Sequence, residues 1–107
     1  MTDFVFSNED DEKNFLQENK WLIHSLIFQS VTKAYEEDLE SVTVFRILNP
    51  EKDFIMTSEL KKEDWVISLE KTLSYYESVE EYEKCHDIKN LLKKIKDDAN
   101  RSNRGKK

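Results

Sequence analysis

Glycine and proline are almost missing from this chain of 107 residues, which holds one of each. Tight turns between strands depend on residues that accept a positive φ or arrive with φ already fixed, and these two residue types supply most of them. A sandwich or barrel with many such turns is therefore disfavoured. Apolar and charged residues each make up 37% of the chain, a balance typical of a modest core inside a charged exterior. We expect an α+β fold that is mostly helical.

The first part of the chain predicts one long N-terminal helix. Ser7 followed by Asp10 has the composition of a helix start, and the acidic residues around it complement the positive end of the helix dipole. Apolar residues then recur at spacings of three, four and seven up to about Asp38, which predicts one broad apolar stripe. The stripe consists of Phe15, Leu22, Ile23, Leu26, Ile27, Val31 and Tyr35. Before this helix, residues 3–6 place phenylalanine at every second position, which predicts a short edge strand or an apolar arm packed on a helix.

A small β-hairpin is predicted next. Residues 41–48, SVTVFRIL, hold four β-branched residues and a phenylalanine in a run too short for a good helix. Residues 49–52, NPEK, have the composition of a turn, and residues 53–57 predict the returning strand. Two strands alone are marginally stable in water. We therefore expect this ribbon to pack on helices or to pair with another strand.

A C-terminal helical hairpin is predicted from Thr57 or Ser58 onward. A turn at Glu77–Ser78 separates its two helices, and Ser78 with Glu81 has the spacing of a capping box, so the second helix is expected to begin near Val79. After Lys96 the sequence DDANRSNRGKK is polar and apolar-poor, which predicts a disordered basic tail over residues 97–107. The domain prediction is a single α-rich domain over residues 1–96 followed by this tail.

The second helix of the hairpin carries a narrow apolar seam that suits a partner helix. Its members are Tyr82, Cys85, Ile88, Leu92 and Ile95. Leu91 is expected on the outer, more exposed face, where it would contact a second copy of the chain or a partner helix.

Five residues are predicted to bind a partner: Trp21, Tyr75, Tyr82, Leu91 and Lys94. Aromatic residues are frequent at interface hot spots, and they are also what a small core uses. Trp65, Leu69 and Tyr76 share one helical face, so core packing is the better interpretation for them. Trp21 lies toward the flank of the first apolar stripe, and is the best single candidate for an exposed anchor.

The net charge of −6 hides an uneven distribution. Residues 1–92 hold 10 basic against 21 acidic side chains, whereas residues 93–107 hold seven against two. Phosphates are repelled by the acidic part, so nucleic-acid binding is expected only through the basic tail. The acidic clusters at residues 9–12, 36–40 and 80–83 also permit a nucleic-acid-mimicking surface, although solvated helix faces and favourable first turns explain most of them.

The chain has few of the residues and motifs that metal binding and catalysis require. One cysteine and two histidines spread along the chain leave too few ligands for a paired-cysteine zinc site, and Cys85 and His86, neighbours on a helix, point about 100° apart. No glycine-rich loop cradles a phosphate, and no carboxylate spacing marks a two-metal site. We expect no catalytic residues, no metal, no cofactor and no enzymatic activity. The N-terminus has no signal-peptide pattern and no run reaches the roughly 18 apolar residues of a membrane span, so a cytoplasmic location is expected.

The run from Leu73 to Ile95 resembles the UVR motif, a short helical hairpin of bacterial excision-repair proteins. The motif's pattern would be met by Tyr82, Glu83, Lys84, Cys85, Ile88, Lys89 and Asn90. This resemblance implies a protein–protein contact element and no enzymatic activity. The chain as a whole is similar to small acidic accessory proteins of bacteriophages, which implies binding to a host enzyme.

These observations predict a non-enzymatic interaction protein that binds another protein through the hairpin or through the flank of the first helix. It would be a phage-type modulator of a host or viral enzyme, with a homodimer through the hairpin as a further possibility. The alternatives are a nucleic-acid-associated protein that uses its basic tail and an acidic inhibitor that mimics DNA.

Overall fold

The computed structural model describes residues 2–50 and 54–105 of the chain. The described residues form a mostly helical α+β arrangement, which confirms the predicted class. The elements in chain order are β1 (Thr2–Val5), α1 (Glu9–Glu18), α2 (Lys20–Glu36), β2 (Ser41–Asn49), β3 (Phe54–Lys61), a single 3₁₀ turn (Lys62–Asp64), α3 (Trp65–Ser78) and α4 (Tyr82–Gly105).

The chain divides into two compact units. The N-terminal unit extends to Lys62 and contains the sheet with α1 and α2, and the C-terminal unit begins at Glu63 and contains α3 and α4. The single domain over residues 1–96 stays a prediction.

The sheet of the N-terminal unit has the strand order β1-β2-β3. β1 runs parallel to β2, whereas β2 and β3 are antiparallel. The edge-strand alternative for residues 3–6 is therefore confirmed for residues 3–5, and β1 is the additional partner that the two-stranded ribbon needed. Arg46 lies directly opposite Asp3, and its guanidinium donates two parallel hydrogen bonds to the carboxylate, at 2.9 and 2.8 Å. This fork-to-fork pair fixes the register of β1 on β2.

The core of the N-terminal unit forms where α2 packs on β2. Its buried centre is Val44, Phe45 and Ile47. A bulge between Thr43 and Phe45 inserts Val44 as an extra residue, which lets two consecutive side chains of one strand be buried. Half-buried apolar residues complete this core: Phe4, Phe6, Leu16, Ile23, Leu26, Ile27 and Leu60.

The predicted single N-terminal helix is interrupted at Asn19. Its side-chain amide donates to the Phe15 carbonyl at 2.9 Å, and its backbone has φ −118° and ψ 35°, outside the helical region. Asparagine competes in this way with the helix ladder, which separates α1 from α2. The start of α1 is also capped by Asn8 rather than by Ser7, because the Asn8 side-chain oxygen accepts the Asp11 backbone N–H at 2.8 Å.

The second strand of the hairpin is longer than predicted. The expectation of a helix starting at Thr57 or Ser58 is wrong, because β3 continues to Lys61 and pairs Ser58 with Phe45 and Leu60 with Val42. Side chains at residues 57–61 alternate between exposed and half-buried positions, which is the period of a strand with one face on a core. Of the predicted turn, Asn49 is the buried last residue of β2, and Glu51 and Lys52, like the expected strand start at Asp53, lie outside the described residues.

The C-terminal unit is the predicted helical hairpin, with α3 packed along α4. The buried residues of α3 follow spacings of four, three and four: Trp65, Leu69, Thr72 and Tyr76. Core packing of Trp65, Leu69 and Tyr76 is therefore confirmed. On α4 the buried residues are Cys85, Ile88, Leu91 and Leu92.

The capping box at Ser78 is not formed. Ser78 is the last residue of α3, and its hydroxyl donates back to the Tyr75 carbonyl. The turn is instead a Schellman motif, in which the Glu81 N–H donates to the Tyr76 carbonyl and the Glu80 N–H to the Glu77 carbonyl. This motif places Glu80 in the left-handed region at φ 60°.

The end of α2 has the same construction. Leu39 donates to the Ala34 carbonyl and Asp38 to the Tyr35 carbonyl, with Asp38 at φ 55°. Glycine normally occupies this left-handed position. A chain with one glycine, at residue 105, fills both positions with acids.

α4 extends past the predicted boundary at Lys96. Residues 97–105, predicted as disordered, are helical, whereas Lys106 and Lys107 lie outside the described residues. Residues 97–104 contain neither glycine nor proline, so their polarity alone does not end the helix.

Candidate binding surfaces

The structure distributes the five predicted contact residues over both units. Trp21 lies in the first turn of α2 and is 43% exposed, and Tyr82 is 68% exposed at the start of α4. Lys94 is exposed on α4. Tyr75 is half-buried, and its ring meets that of Tyr76 edge-on with centroids 5.3 Å apart.

The prediction of an exposed Leu91 is wrong. Leu91 is only 6% exposed, as is Leu92. Ile88, Leu91, Leu92 and Ile95 follow the i, i+3, i+4, i+7 pattern, so the apolar stripe of α4 is broad rather than a narrow seam. The fully buried Ile88 shows where this stripe is centred, whereas Tyr82, predicted as a seam residue, lies outside it. Leu91 is therefore a core residue, and a homodimer cannot use it as an exposed contact.

A first surface candidate is the apolar pair formed by Trp21 and Leu22. Leu22 was predicted to belong to the core stripe, yet it is 36% exposed beside the 43% exposed Trp21. One turn further on, Ser25 is buried and accepts a hydrogen bond from the Gln29 amide at 3.1 Å. The pair therefore lies at the border between the buried and the exposed sides of α2. The interruption at Asn19 sets this placement, because it starts a new helix directly before Trp21.

His24 is half-buried close to this pair. Burial lowers its pKa below the ordinary value, and the nearby charge of Lys20 lowers the pKa further. Both effects favour the neutral imidazole. The histidine therefore adds no positive charge to this part of α2 at neutral pH.

A second surface candidate is the exposed side of α4. Tyr82, His86, Lys89, Lys93 and Lys96 follow one another at spacings of four, three, four and three, and all are exposed. These spacings keep side chains on one line of a helix. We call this set the α4 line. Two shallow depressions lie along it, one lined by Tyr82, His86 and two acids, and the other by the three lysines with Leu92 and Asp97.

Two side chains of the α4 line, His86 and Lys96, make polar contacts. Asn90 Nδ2 lies 3.2 Å from His86 Nε2, and Lys96 Nζ lies 3.9 Å from Glu70 Oε1 on α3. The lysine–glutamate pair is exposed on both sides, and such pairs hold a side chain weakly. The sequence did not single out this line, because Lys93 and Lys96 were grouped with the basic residues of the tail and Lys89 with the UVR-like pattern.

The described residues contain no group of three or more His, Cys, Asp or Glu that could hold a metal ion. Cys85 is buried and His86 is exposed, so the neighbouring pair faces in different directions. In the part of the chain that the structure describes, no helix combines the length and apolarity needed to cross a membrane. No known protein family, characterised protein or solved structure matches this chain.

Proposed function

We propose that the chain is a cytoplasmic, non-enzymatic regulatory protein that binds another protein through Trp21 and Leu22. Its partner would be an enzyme of a host or a virus, as the likeness to bacteriophage accessory proteins suggests. The observation that carries the proposal is the pair itself: two neighbouring large apolar side chains, 43% and 36% exposed, in one helical turn. Tryptophan is the residue type most enriched at interface hot spots.

The backbone under this pair supports its use as an anchor. The Asn19 side chain and the Asn19 backbone N–H both donate to the Phe15 carbonyl at 2.9 Å, and Ile23 N–H donates to the Asn19 carbonyl at 3.0 Å. The helix start is therefore ordered before any partner arrives. A preordered anchor loses less conformational entropy on binding than a flexible one.

The exposed side of α4 is proposed as a further contact area, with Tyr82 and Lys94 as its contact residues. The UVR-like sequence of Tyr82–Asn90 forms the first turns of α4, and that resemblance implies contact with another protein. Tyr75 contributes less, because its half-buried ring already packs on Tyr76.

Tryptophan fluorescence offers a direct test, because the chain has only two tryptophans. Trp65 is buried, so acrylamide quenches mainly Trp21. A partner is first captured from a lysate of the native host on the immobilised chain, identified by mass spectrometry and purified. Adding this purified partner is expected to protect Trp21 from quenching and to shift the emission to shorter wavelength.

The matched variants are Trp21→Ala and Ile67→Ala. Ile67 is a 57% exposed aliphatic residue on α3, and serves as the control for losing exposed apolar area elsewhere. Truncating a hot-spot residue costs about 2 kcal/mol or more, so Trp21→Ala should weaken the purified pair about 30-fold or more in calorimetry. Equal affinity for Trp21→Ala and Ile67→Ala, or unchanged quenching, would contradict the proposal. A dimer of the chain alone that Trp21→Ala dissolves in sedimentation would assign the surface to a second copy instead.

A further inference from the structure

The α4 line combines an aromatic ring at one end with three cations at the other. Tyr82 is 68% exposed, and Lys89, Lys93 and Lys96 are exposed about two to four turns further along the same side of the helix. We infer that the α4 line binds single-stranded nucleic acid, with the lysines along the phosphates and Tyr82 stacked on a base. This inference does not rest on Trp21 and Leu22, which carry the proposed function, and it assigns Tyr82 to a nucleic-acid base instead of to the protein contact proposed above.

The dimensions of the line fit a stacked strand. A helix rises about 1.5 Å per residue, so Lys89 and Lys96 lie about 10.5 Å apart along the axis, and Tyr82 lies about 10.5 Å before Lys89. One strand of stacked nucleic acid carries a phosphate about every 3.4 Å. The three lysines therefore cover about three phosphates, and the tyrosine reaches a base about three nucleotides away.

The pairing of cations with an aromatic ring favours nucleic acid over an acidic protein. Proteins that hold single strands without sequence preference use a basic track for the backbone and aromatic side chains for base stacking. An acidic peptide needs only the lysines, whereas a single strand uses both the lysines and an aromatic ring such as that of Tyr82. His86, between Tyr82 and Lys89, adds a second ring that bases can stack on.

The surroundings limit the affinity. Glu83, Asp87 and Asp97 border the two depressions, and Lys96 lies 3.9 Å from Glu70. The chain as a whole carries −6. Repulsion of phosphates by these acids makes the binding weak, whereas the counterions that the lysines displace from the strand make it dependent on salt. The helix that carries the line extends through residue 105, so the whole line lies within one helix.

The first test measures the salt dependence of binding to a fluorescein-labelled oligothymidylate by anisotropy. Three neutralised phosphates on a single strand give a slope of about −2 in log affinity against log salt, so affinity should fall about 20-fold from 50 to 200 mM salt. The triple variant Lys89→Gln, Lys93→Gln, Lys96→Gln should bring the slope close to zero. The control triple variant changes three exposed lysines on α1, α2 and α3, Lys13→Gln, Lys33→Gln and Lys71→Gln, and should keep the wild-type slope although it removes the same charge. Equal slopes for the two triple variants would overturn the inference.

The second test isolates the tyrosine. Tyr82→Ala should weaken binding of oligothymidylate about tenfold, because base stacking on an aromatic side chain contributes about 1–3 kcal/mol per base. The same variant should leave binding to an abasic sugar–phosphate oligomer unchanged. With the wild-type chain, a duplex of the same length and polyglutamate of the same charge should both compete poorly. Competition by polyglutamate at equal charge would assign the α4 line to an acidic protein. An equal loss of affinity for the abasic oligomer in Tyr82→Ala would show that the tyrosine does not stack on a base. Either result overturns the inference.

Discussion

Replacing Glu80 by glycine should stabilise the C-terminal unit. Glu80 lies at the left-handed position of the Schellman motif between α3 and α4, with φ 60°. Its Cβ crowds the neighbouring carbonyl in this conformation, which glycine adopts without that contact. The two hydrogen bonds of the motif use backbone groups only, so the substitution keeps both of them.

The magnitude follows from two opposing contributions. A residue with a Cβ in the left-handed region costs about 1–2 kcal/mol. Glycine also has more conformational freedom in the unfolded chain, which lowers the free energy of unfolding by about 0.4–1 kcal/mol. At the middle of both ranges the net gain in the free energy of unfolding is about 0.8 kcal/mol, or about 3 to 6 °C in Tm for a domain of this size.

Thermal unfolding followed by circular dichroism measures this gain. Glu80→Ala is the matched control, because it removes the same carboxylate but keeps the Cβ, and it should not gain the same stability. Asp38→Gly at the end of α2 should gain less than Glu80→Gly, because aspartate tolerates the left-handed region better than glutamate does. A Tm for Glu80→Gly no higher than that of Glu80→Ala would refute the claim that the left-handed conformation of Glu80 costs stability.

Three further predictions concern burial and charge. Leu91→Asp should lower the free energy of unfolding by about 3 kcal/mol or more in urea titration, since it buries a charge among apolar residues. Lys94→Asp, on the exposed side of α4, should change that free energy little. A stable Leu91→Asp variant would show that Leu91 is not a core residue. The Arg46 guanidinium hydrogen-bonds Asp3 and lowers the pKa of that carboxyl, so the Tm advantage of the wild type over Arg46→Gln should be complete above the ordinary aspartate pKa and close as pH falls through the lowered one. An advantage that persists in acid would argue against this pair. Burial lowers the pKa of His24, so the part of the stability that depends on a neutral His24 should be fully present above about pH 6.5 and should be lost as pH falls through the lowered pKa. His24→Gln should therefore show a smaller decline in Tm over that range.

The parts of the fold that periodicity alone decides were predictable. The spacing of four, three and four in α3 gave the buried face with Trp65, Leu69 and Tyr76, because a helix that packs on one side repeats every 3.6 residues. The length of β3 was not predictable in this way. Residues 58–61, Ser-Glu-Leu-Lys, suit a capped helix start as well as an alternating strand, and only pairing with β2 decides between them.

Side-chain competition with the backbone explains the remaining differences in the fold. Ser78 has the sequence spacing of a capping box, but its hydroxyl bonds the Tyr75 carbonyl at the end of the preceding helix. Asn19 interrupts a continuous apolar pattern through one amide hydrogen bond to Phe15. Such side-chain bonds compete with the backbone hydrogen bonds, and residue spacing alone does not show which of the two forms.

The candidate surfaces were predictable in part. The exposed flank position of Trp21 followed from its place beside the apolar stripe, and the structure confirms that exposure. Leu91 was misplaced because the apolar face of α4 was taken as narrower than it is. The α4 line follows from the spacing of its lysines, once Lys89, Lys93 and Lys96 are placed on one helix with Tyr82.

The parallel pairing of β1 with β2 has a consequence for how the chain is made. Asp3 and Arg46, which join these strands, are 43 residues apart. At about 5–20 residues per second, synthesis of that interval takes about 2 to 9 seconds, whereas helices form in microseconds. During this wait Phe4 and the rest of β1 do not yet have β2 to pair with, and the acidic run at residues 9–12 directly behind them adds negative charge beside this apolar strand. β1 therefore pairs with β2 only after both α1 and α2 have been synthesised.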